Sequence, residues 1–525
     1  MRETIGMQYL ALAPLFAVGG GALLGVLAEA LVPKRFRFNI QVWLTAIVII
    51  AAFGLTGRNW YDPGARHLAG FGSLSLDAPT TLCWGGLLVF ALGAVVLAAQ
   101  RFSVPGPSGR VSSFTPMAVA IPGSRDEQEA ETSGSEHTEV FPIMLFALLG
   151  MLVFPAATDL LTAFIGLEVM SLPLYLLCGL ARRRRLLSHE AAMKYFLLGA
   201  FSSAIFLYGV ALTYGFAGAV DYVAINTALT QTLSLDPLML TGFGLMMVGL
   251  LFKIGAAPFH SWVPDTYTGA PTPVTAYMAA GTKLAAFGAL ARLLYVAYGG
   301  MQWTWTVPLG VIAIVTMAWG SIVGLAQTNI KRLLAYSSIA NAGFILVPVA
   351  AALGVVGINQ LSSMTALVYY MAAYGLATLG AFGVVMLVRD GTGEVLDIKA
   401  WTGLGRRHPW LAAAMTLFLC SLAGIPATSG FIGKLDAFVV AWRGGLWWLV
   451  IAALAFSLVA MVFYMRVVLV MWLKSPPEDG PEISTARPSI SMIVFLLVSV
   501  AGILVAGVAP NLFMHWASLA GQLLR

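Results

Sequence analysis

Phe252-Lys253-Ile254-Gly255-Ala256-Ala257-Pro258-Phe259-His260-Ser261-Trp262-Val263-Pro264 sets a lysine, a glycine and two prolines inside an otherwise apolar run. Proline removes a backbone donor and clashes with the preceding turn, and glycine permits unwinding, so a helix through this stretch is interrupted. Ala423-Gly424-Ile425-Pro426-Ala427-Thr428-Ser429-Gly430-Phe431-Ile432-Gly433-Lys434 repeats the pattern. Irregular backbone at membrane depth survives only against protein or a wet cavity. Two such segments in the two halves of one chain point to an inverted repeat with an ion site near the midplane.

The surrounding chain supports that frame. Of 525 residues, 29 are Lys or Arg and 23 are Asp or Glu; 10% are charged, 59% are hydrophobic, and the mean hydropathy is +0.87. A soluble protein carries roughly 25% charged residues. These values exclude a multidomain soluble enzyme, a disordered protein and a secreted disulfide scaffold, and leave a polytopic membrane protein. Runs of roughly 20 apolar residues, enough for a bilayer core of about 30 Å, fall at 8–32, 40–57, 78–100, 140–158, 159–181, 191–217, 237–267, 271–297, 306–327, 330–353, 359–388, 409–441, 446–474 and 489–522. The expected fold is all-α, with about 14 transmembrane helices, two inverted five-helix repeats, and breaks in helices 7 and 12. Residues 1–100 hold helices 1–3, 101–139 form a hydrophilic loop, 140–297 the first repeat, 306–474 the second, and 489–525 the C-terminal helix. The first run exceeds a signal-peptide core and reads as a retained span.

Charge placement orients the bundle. Loops after odd-numbered helices hold 18 of the basic residues: Lys34, Arg35, Arg37, Arg101, Arg110, Arg125, Arg182 to Arg185, Lys331, Arg332, Arg389, Lys399, Arg406, Arg407, Lys474 and Arg487. The opposite side, termini included, holds five: Arg2, Arg58, Arg66, Arg443 and Arg525. This predicts cytoplasmic odd-to-even loops and both termini outside. The net charge of +6 then reflects topology and not nucleic acid. Residues 101–139, rich in Ser, Pro and Gly and then acidic from Asp126 to Glu139, read as a mobile cytoplasmic loop. Cys83, Cys178 and Cys420 lie in apolar runs without C-x-x-C spacing, and nucleotide and zinc motifs are missing, so no cofactor or metal is expected on this chain.

Six basic residues remain: Lys194, Lys253, Lys283, Arg292, Lys434 and Arg466. The two arginines read as structural, near helix ends or snorkelling toward them. The lysines lie within spans, where an ionisable group faces protein or water and is a functional candidate. Glu168, deep in the fifth run, is the natural partner for a buried lysine; such a pair is the minimum for a proton relay. Glu29 and Asp436 also lie in or near apolar runs. His260 follows the first break, where it either carries protons or bonds a freed carbonyl. His67, His137, His189, His408 and His515 read as loop or helix-end residues.

Glu190-Ala191-Ala192-Met193-Lys194-Tyr195-Phe196, Phe252-Lys253 through Pro264-Asp265, Ala270-Pro271-Thr272-Pro273, Lys331-Arg332-Leu333-Leu334-Ala335-Tyr336-Ser337-Ser338, and Gly424-Ile425-Pro426 to Lys434 together resemble the antiporter-like subunits of respiratory complex I. The resemblance covers nearly the whole chain outside 101–139, where a long insert departs from the family pattern. It implies a proton-translocating subunit of a bacterial plasma-membrane NADH–quinone oxidoreductase, assembled with other membrane subunits. NADH, FMN, iron–sulfur clusters and quinone would be handled elsewhere in that complex. By position, Glu168 matches the family's fifth-helix glutamate, Lys253 the lysine beside the seventh-helix break, and Lys283 the lysine linking two half-channels. Lys434 matches the residue exchanging protons with the outside, and Lys194 a sixth-helix lysine of the path; His260 is ancillary. The alternative is a subunit of a cation/proton antiporter complex.

Overall fold

In lipid every backbone polar group must be bonded within the protein, so apolar runs of this length become helices. The computed structural model describes the chain apart from residues 1–7, 62–66, 104–109, 119, 122–123, 133–135, 232–235, 353–360, 391–392, 475–483, 520–522 and 524–525. Among the described residues, twelve helices are long and apolar enough to cross a membrane. Two shorter apolar helices, Val140–Ala156 and Pro409–Ala423, complete the fourteen runs. Helices 1–3 are Ala13–Leu31, Lys34–Tyr61 and Ala78–Ala98. Val140–Ala156, Leu160–Cys178, Arg185–Ala217, Pro237–Ile254 with Trp262–Gly269, and Thr272–Ala297 follow. Then come Gln302–Leu325, Ile330–Ala351, Ser363–Leu387, Pro409–Ala423 with Ser429–Arg443, and Trp447–Trp472. Ile490–Val508 and the short Asn511–Ser518 end the bundle.

Helix starts follow local chemistry. Asp77, Asp159, Asp236, Asn329, Ser362 and Ser489 each accept a hydrogen bond from a first-turn N–H, satisfying donors that would otherwise be orphaned. Two glycines show how the repeats pack. A Cβ on Gly150 would lie 2.1 Å from Met170 N, and one on Gly320 would lie 2.4 Å from Ala340 N. In each repeat, then, the first helix meets the second backbone to backbone, the small-residue contact that membrane helices use. The sixth helix packs on both halves of the seventh, as Ser363–Leu387 packs on both halves of the twelfth. Thr272–Ala297, Ile330–Ala351 and Ser363–Leu387 are the most enclosed helices, and the outer ones keep a broad apolar face exposed.

The basic loops gather at one end of the bundle. Arg182 N–H donates to Ser113 O (3.0 Å), Ile398 N–H to Thr328 O (2.9 Å), and the Arg389 guanidinium lies 3.9 Å from the Phe102 ring centroid. At the other end Thr158 N–H donates to Ser73 O (3.0 Å) and Tyr222 N–H to Thr158 O (2.9 Å).

Two expectations change here. The described part of 101–139 is anchored, not a mobile loop. Phe102 and Phe114 are buried, Thr115 N–H donates to Leu180 O (2.9 Å), and Phe102–Ser103 pairs with Arg110–Val111. Its acidic end folds back on the first two helices: Thr138 donates to Glu29 (2.7 Å), Arg37 pairs with the same carboxylate (3.2 Å), and Glu136 pairs with Arg101. The polar and acidic majority of the segment conceals the few aromatic residues that hold it down. Arg292 does not snorkel either. It is 2% exposed; its Nη2 donates to Asp77 (2.7 Å) and Thr80 (2.8 Å), and its Nε to Pro155 O (2.9 Å). Its span ends within protein, so the nearest solvation for the guanidinium is the Asp77 cap of the third helix. Arg466, by contrast, caps helix-end carbonyls of Leu325 and Gln327, as a structural arginine would.

Removing one partner of a buried ion pair costs about 3–5 kcal/mol, because the other charge is left stranded. Arg292→Met is therefore expected to lower the thermal midpoint and yield of the assembled protein sharply. Asp77→Asn combined with Arg292→Met, which keeps a capping side chain without a stranded charge, should recover part of both. Thermal unfolding of the detergent-purified variants measures it.

Candidate functional site

Both breaks are built the same way. Gly255 (φ +77°) donates its N–H to Leu251 O and Phe252 O, and Ala256 N–H returns to Leu251 O. Gly424 (φ +84°) donates to Cys420 O and Ser421 O, and Ile425 N–H returns to Cys420 O. This left-handed cap ends a helix at a residue that has no Cβ to clash. The freed groups beyond it find partners: Ala257 N–H donates to Thr316 Oγ1 (3.0 Å) and Gly430 N–H to Ser421 Oγ (3.2 Å).

A lysine sits at each break and a third between them. Lys253, Lys283 and Lys434 are 2%, 2% and 4% exposed. Lys253 Nζ donates to Tyr195 OH (3.2 Å) and lies 5.1 Å and 5.6 Å from the Tyr195 and Tyr175 ring centroids. Lys283 donates to the Ser338 carbonyl and faces the Tyr374 ring. The helix winds wide over Met278–Thr282, immediately before Lys283, a π-turn of the kind found at functional sites. Lys434 Nζ donates to Ala423 O (2.8 Å), back across its own break, and to Ser457 Oγ (3.1 Å). It also lies 4.5 Å from the Phe344 ring centroid. A Cβ on Gly424 would meet Lys434 Cδ at 2.8 Å, so this glycine also makes room for the lysine stem.

Hydroxyl and amide groups extend between the three. Tyr195 stacks on Trp262 (4.6 Å), which meets Tyr267 edge-on (6.4 Å). Tyr267 OH and Tyr374 OH both reach Ser338 Oγ, at 3.5 and 2.9 Å. The adjacent Ser337 bonds Tyr464 OH; Asn341 Nδ2 donates to the same hydroxyl (3.2 Å), and Tyr370 OH donates to Asn341 Oδ1 (3.1 Å). Tyr370 packs on Gly433, beside Lys434.

Other sequence candidates are placed differently. Glu168 forms no contact ion pair with Lys253: its Oε1 is buried without a hydrogen-bond partner, and the lysine bonds a tyrosine instead. Lys194 is not buried. Its side chain is 41% exposed and bridges Glu190 (2.6 Å) and Asp265 (2.7 Å), because the outer face of its helix is left uncovered by the rest of the chain. His260 is buried with Nδ1 unpartnered and its ring 5.2 Å from Trp319, so it bonds no freed carbonyl through that nitrogen. Lys434 and Asp436 do not pair, two positions apart on a helix not facing each other. Among the described residues no cluster of three or more His, Cys, Asp or Glu is arranged to hold a metal ion. Tyr195, Tyr267, Tyr374, Ser338 and Asn341 escape sequence reading, since tyrosines and serines in apolar spans are common and only the Ser337-Ser338 pair stands out.

Comparison with known proteins places this geometry. The family described as NADH:quinone oxidoreductase/Mrp antiporter, TM, matches residues 157–460, which span both breaks. NADH-quinone oxidoreductase subunit N of a Nocardioides species is 48% identical over 98% of this chain and 97% of its own length. The protein of that name from Cutibacterium acnes is 46% identical over 98% and 95%. A chain of respiratory complex I from Thermus thermophilus with bound Aureothin superposes with a TM-score of 0.74 at 29% identity, covering 95% of this chain and 98% of that one. A chain of the Mrp complex from Dietzia sp. shares the fold, with a TM-score of 0.78 at 19% identity, covering 98% and 97%. With broken spans, central lysines and full-length relatives in agreement, the chain belongs to the NADH:quinone oxidoreductase/Mrp antiporter family of membrane subunits.

Proposed function

We propose that the chain is the proton-translocating membrane subunit N of a bacterial NADH:quinone oxidoreductase. NADH oxidation, FMN, the iron–sulfur clusters and quinone reduction belong to other subunits, and this chain moves protons through Lys253, Lys283 and Lys434. The bundle sits in the plasma membrane with the basic loops in the cytoplasm and both termini outside. Near-identical length and close identity to proteins named as that subunit favour this reading over a cation/proton antiporter complex, with which the chain shares a fold.

The observation that carries the mechanism is the nature of the lysines' partners. All three bond hydroxyl or carbonyl oxygens, with no carboxylate in contact. Such an acceptor bonds an ammonium N–H and a neutral amine N–H alike, so a proton can leave without breaking the contact. A contact carboxylate would hold the ammonium in place. Tyr267, Ser338 and Tyr374 lie between the first break and Lys283, and Ser337, Tyr464, Asn341 and Tyr370 between Lys283 and Lys434; each hydroxyl can accept one proton and pass on another. Glu168, with its free oxygen near Lys253, biases the first lysine by field and not by contact.

Lys283→Met and Lys434→Met keep apolar volume and remove the exchangeable proton. In vesicles holding the assembled complex, both are expected to lower proton uptake and coupled NADH–quinone turnover together, by tenfold or so per 1.4 kcal/mol added to the limiting barrier. Unchanged uptake and turnover in both would remove the lysines from the path. Co-purification with NADH-oxidising subunits from native membranes tests the assignment to that enzyme. Glu168→Gln should lower uptake severalfold, and Glu168→Asp should retain more, measured as protons taken up per NADH oxidised.

A further inference from the structure

We infer that Lys331 is a second proton-loading residue, supplying Lys283 from the basic end of the bundle by a route separate from Lys253. The inference rests on the proton-translocation reading above. In the sequence Lys331 stands beside Arg332 as one more loop cation. The structure separates the two: Arg332 is 40% exposed and paired with Asp265 (3.0 Å), whereas Lys331, in the first turn of Ile330–Ala351, is 3% exposed. Its ammonium donates to Ala270 O (2.7 Å), a neutral acceptor like those of the three lysines in the spans.

Lys331 lines a cavity of about 330 Å³ at the basic end. At roughly 30 Å³ per water, that volume holds several. Arg182, Arg183, Arg184 and Arg389 also line it, with Glu394 as the one carboxylate among the described lining residues. Glu394 Oε2 accepts from Thr272 Oγ1 (2.6 Å), which fixes it at the start of the helix that carries Lys283. A lysine and a carboxylate thus face one water-sized space that is lined by the cytoplasmic loops of the proposed topology.

The inward side of Lys331 leads to the centre. Ser338 is seven positions on, hence on the same helix face and about 10 Å deeper. Its carbonyl holds Lys283, and its hydroxyl meets Tyr374 and Tyr267. One or two waters complete a line from Lys331 to these hydroxyls. In the transfer, a cavity water gives a proton to the Lys331 amine and regains one from the cytoplasm. The ammonium then gives a proton to the inward water, and the hydroxyl chain delivers one to the Lys283 amine. Lys253 takes no part in this line, because its contact is Tyr195 on the sixth helix.

Arginine separates relay from structure at this position. Lys331→Arg keeps the positive charge and donors toward Ala270, but a guanidinium does not release its proton. Lys331→Arg, Lys331→Gln and Lys434→Met are compared in vesicles of the assembled complex, with assembly checked by subunit co-purification. The measurements are proton uptake per NADH and the pH profile of turnover. The expected result is a severalfold fall in uptake for both Lys331 variants, with an altered pH profile. Wild-type uptake in Lys331→Arg overturns the inference even if Lys331→Gln fails to assemble. If Lys434→Met is impaired while Lys331→Arg is normal, only this inference falls. If Lys434→Met and Lys331→Arg both pump normally, the proton-translocation reading falls with it.

Discussion

An ammonium group at bilayer depth has no water to solvate it, so protein atoms must do so, and the choice of atoms sorts the buried cations of this chain. Arg292 is matched to the Asp77 carboxylate, with Thr80 and the Pro155 carbonyl completing its shell. Such a pair is strong, fixed and expensive to break. Lys253, Lys283 and Lys434 are instead solvated by hydroxyls and carbonyls. That shell tolerates either protonation state. The same bilayer constraint thus yields a structural clamp in one place and an exchangeable site in another.

The enclosed centre of the bundle follows from this requirement. Thr272–Ala297, Ile330–Ala351 and Ser363–Leu387 carry the polar groups that hold Lys283, and they are the helices best shielded from the exterior. Outer helices such as Lys34–Tyr61 and Ile490–Val508 bury only one stripe and present an apolar face outward. The close backbone approaches at Gly150 and Gly320 draw each repeat's first two helices together and leave the interrupted helices to pack on the sixth and eleventh.

The two breaks share a cap but differ in where the lysine stands. Lys253 precedes its glycine by two residues, whereas Lys434 follows its glycine by ten and reaches back across the gap to Ala423 O. The first lysine therefore belongs to the helix that ends at the break, and the second to the helix that begins after it. Because the second repeat is read in the opposite sense, this difference gives the chain two unlike half-sites around one centre, a requirement for moving an ion in one direction.

The fourteen spans, both breaks and the gathering of the basic loops were legible in the linear order of residues. Span length, Gly/Pro interruption and charge are local or compositional properties, and the bilayer makes them decisive. Partners were not legible. Glu168 was the obvious anion for Lys253, yet a tyrosine from the sixth helix takes that place. Lys194, set in an apolar run, lies on an uncovered flank with Glu190 and Asp265, and Lys331, set among loop cations, lies in the interior. A largely polar segment was anchored by Phe102 and Phe114. Hydropathy counts how many residues are apolar along the chain. Which side of a helix is covered, and by which distant hydroxyl or carbonyl, depends on how helices far apart in sequence pack, and only the tertiary structure settles that.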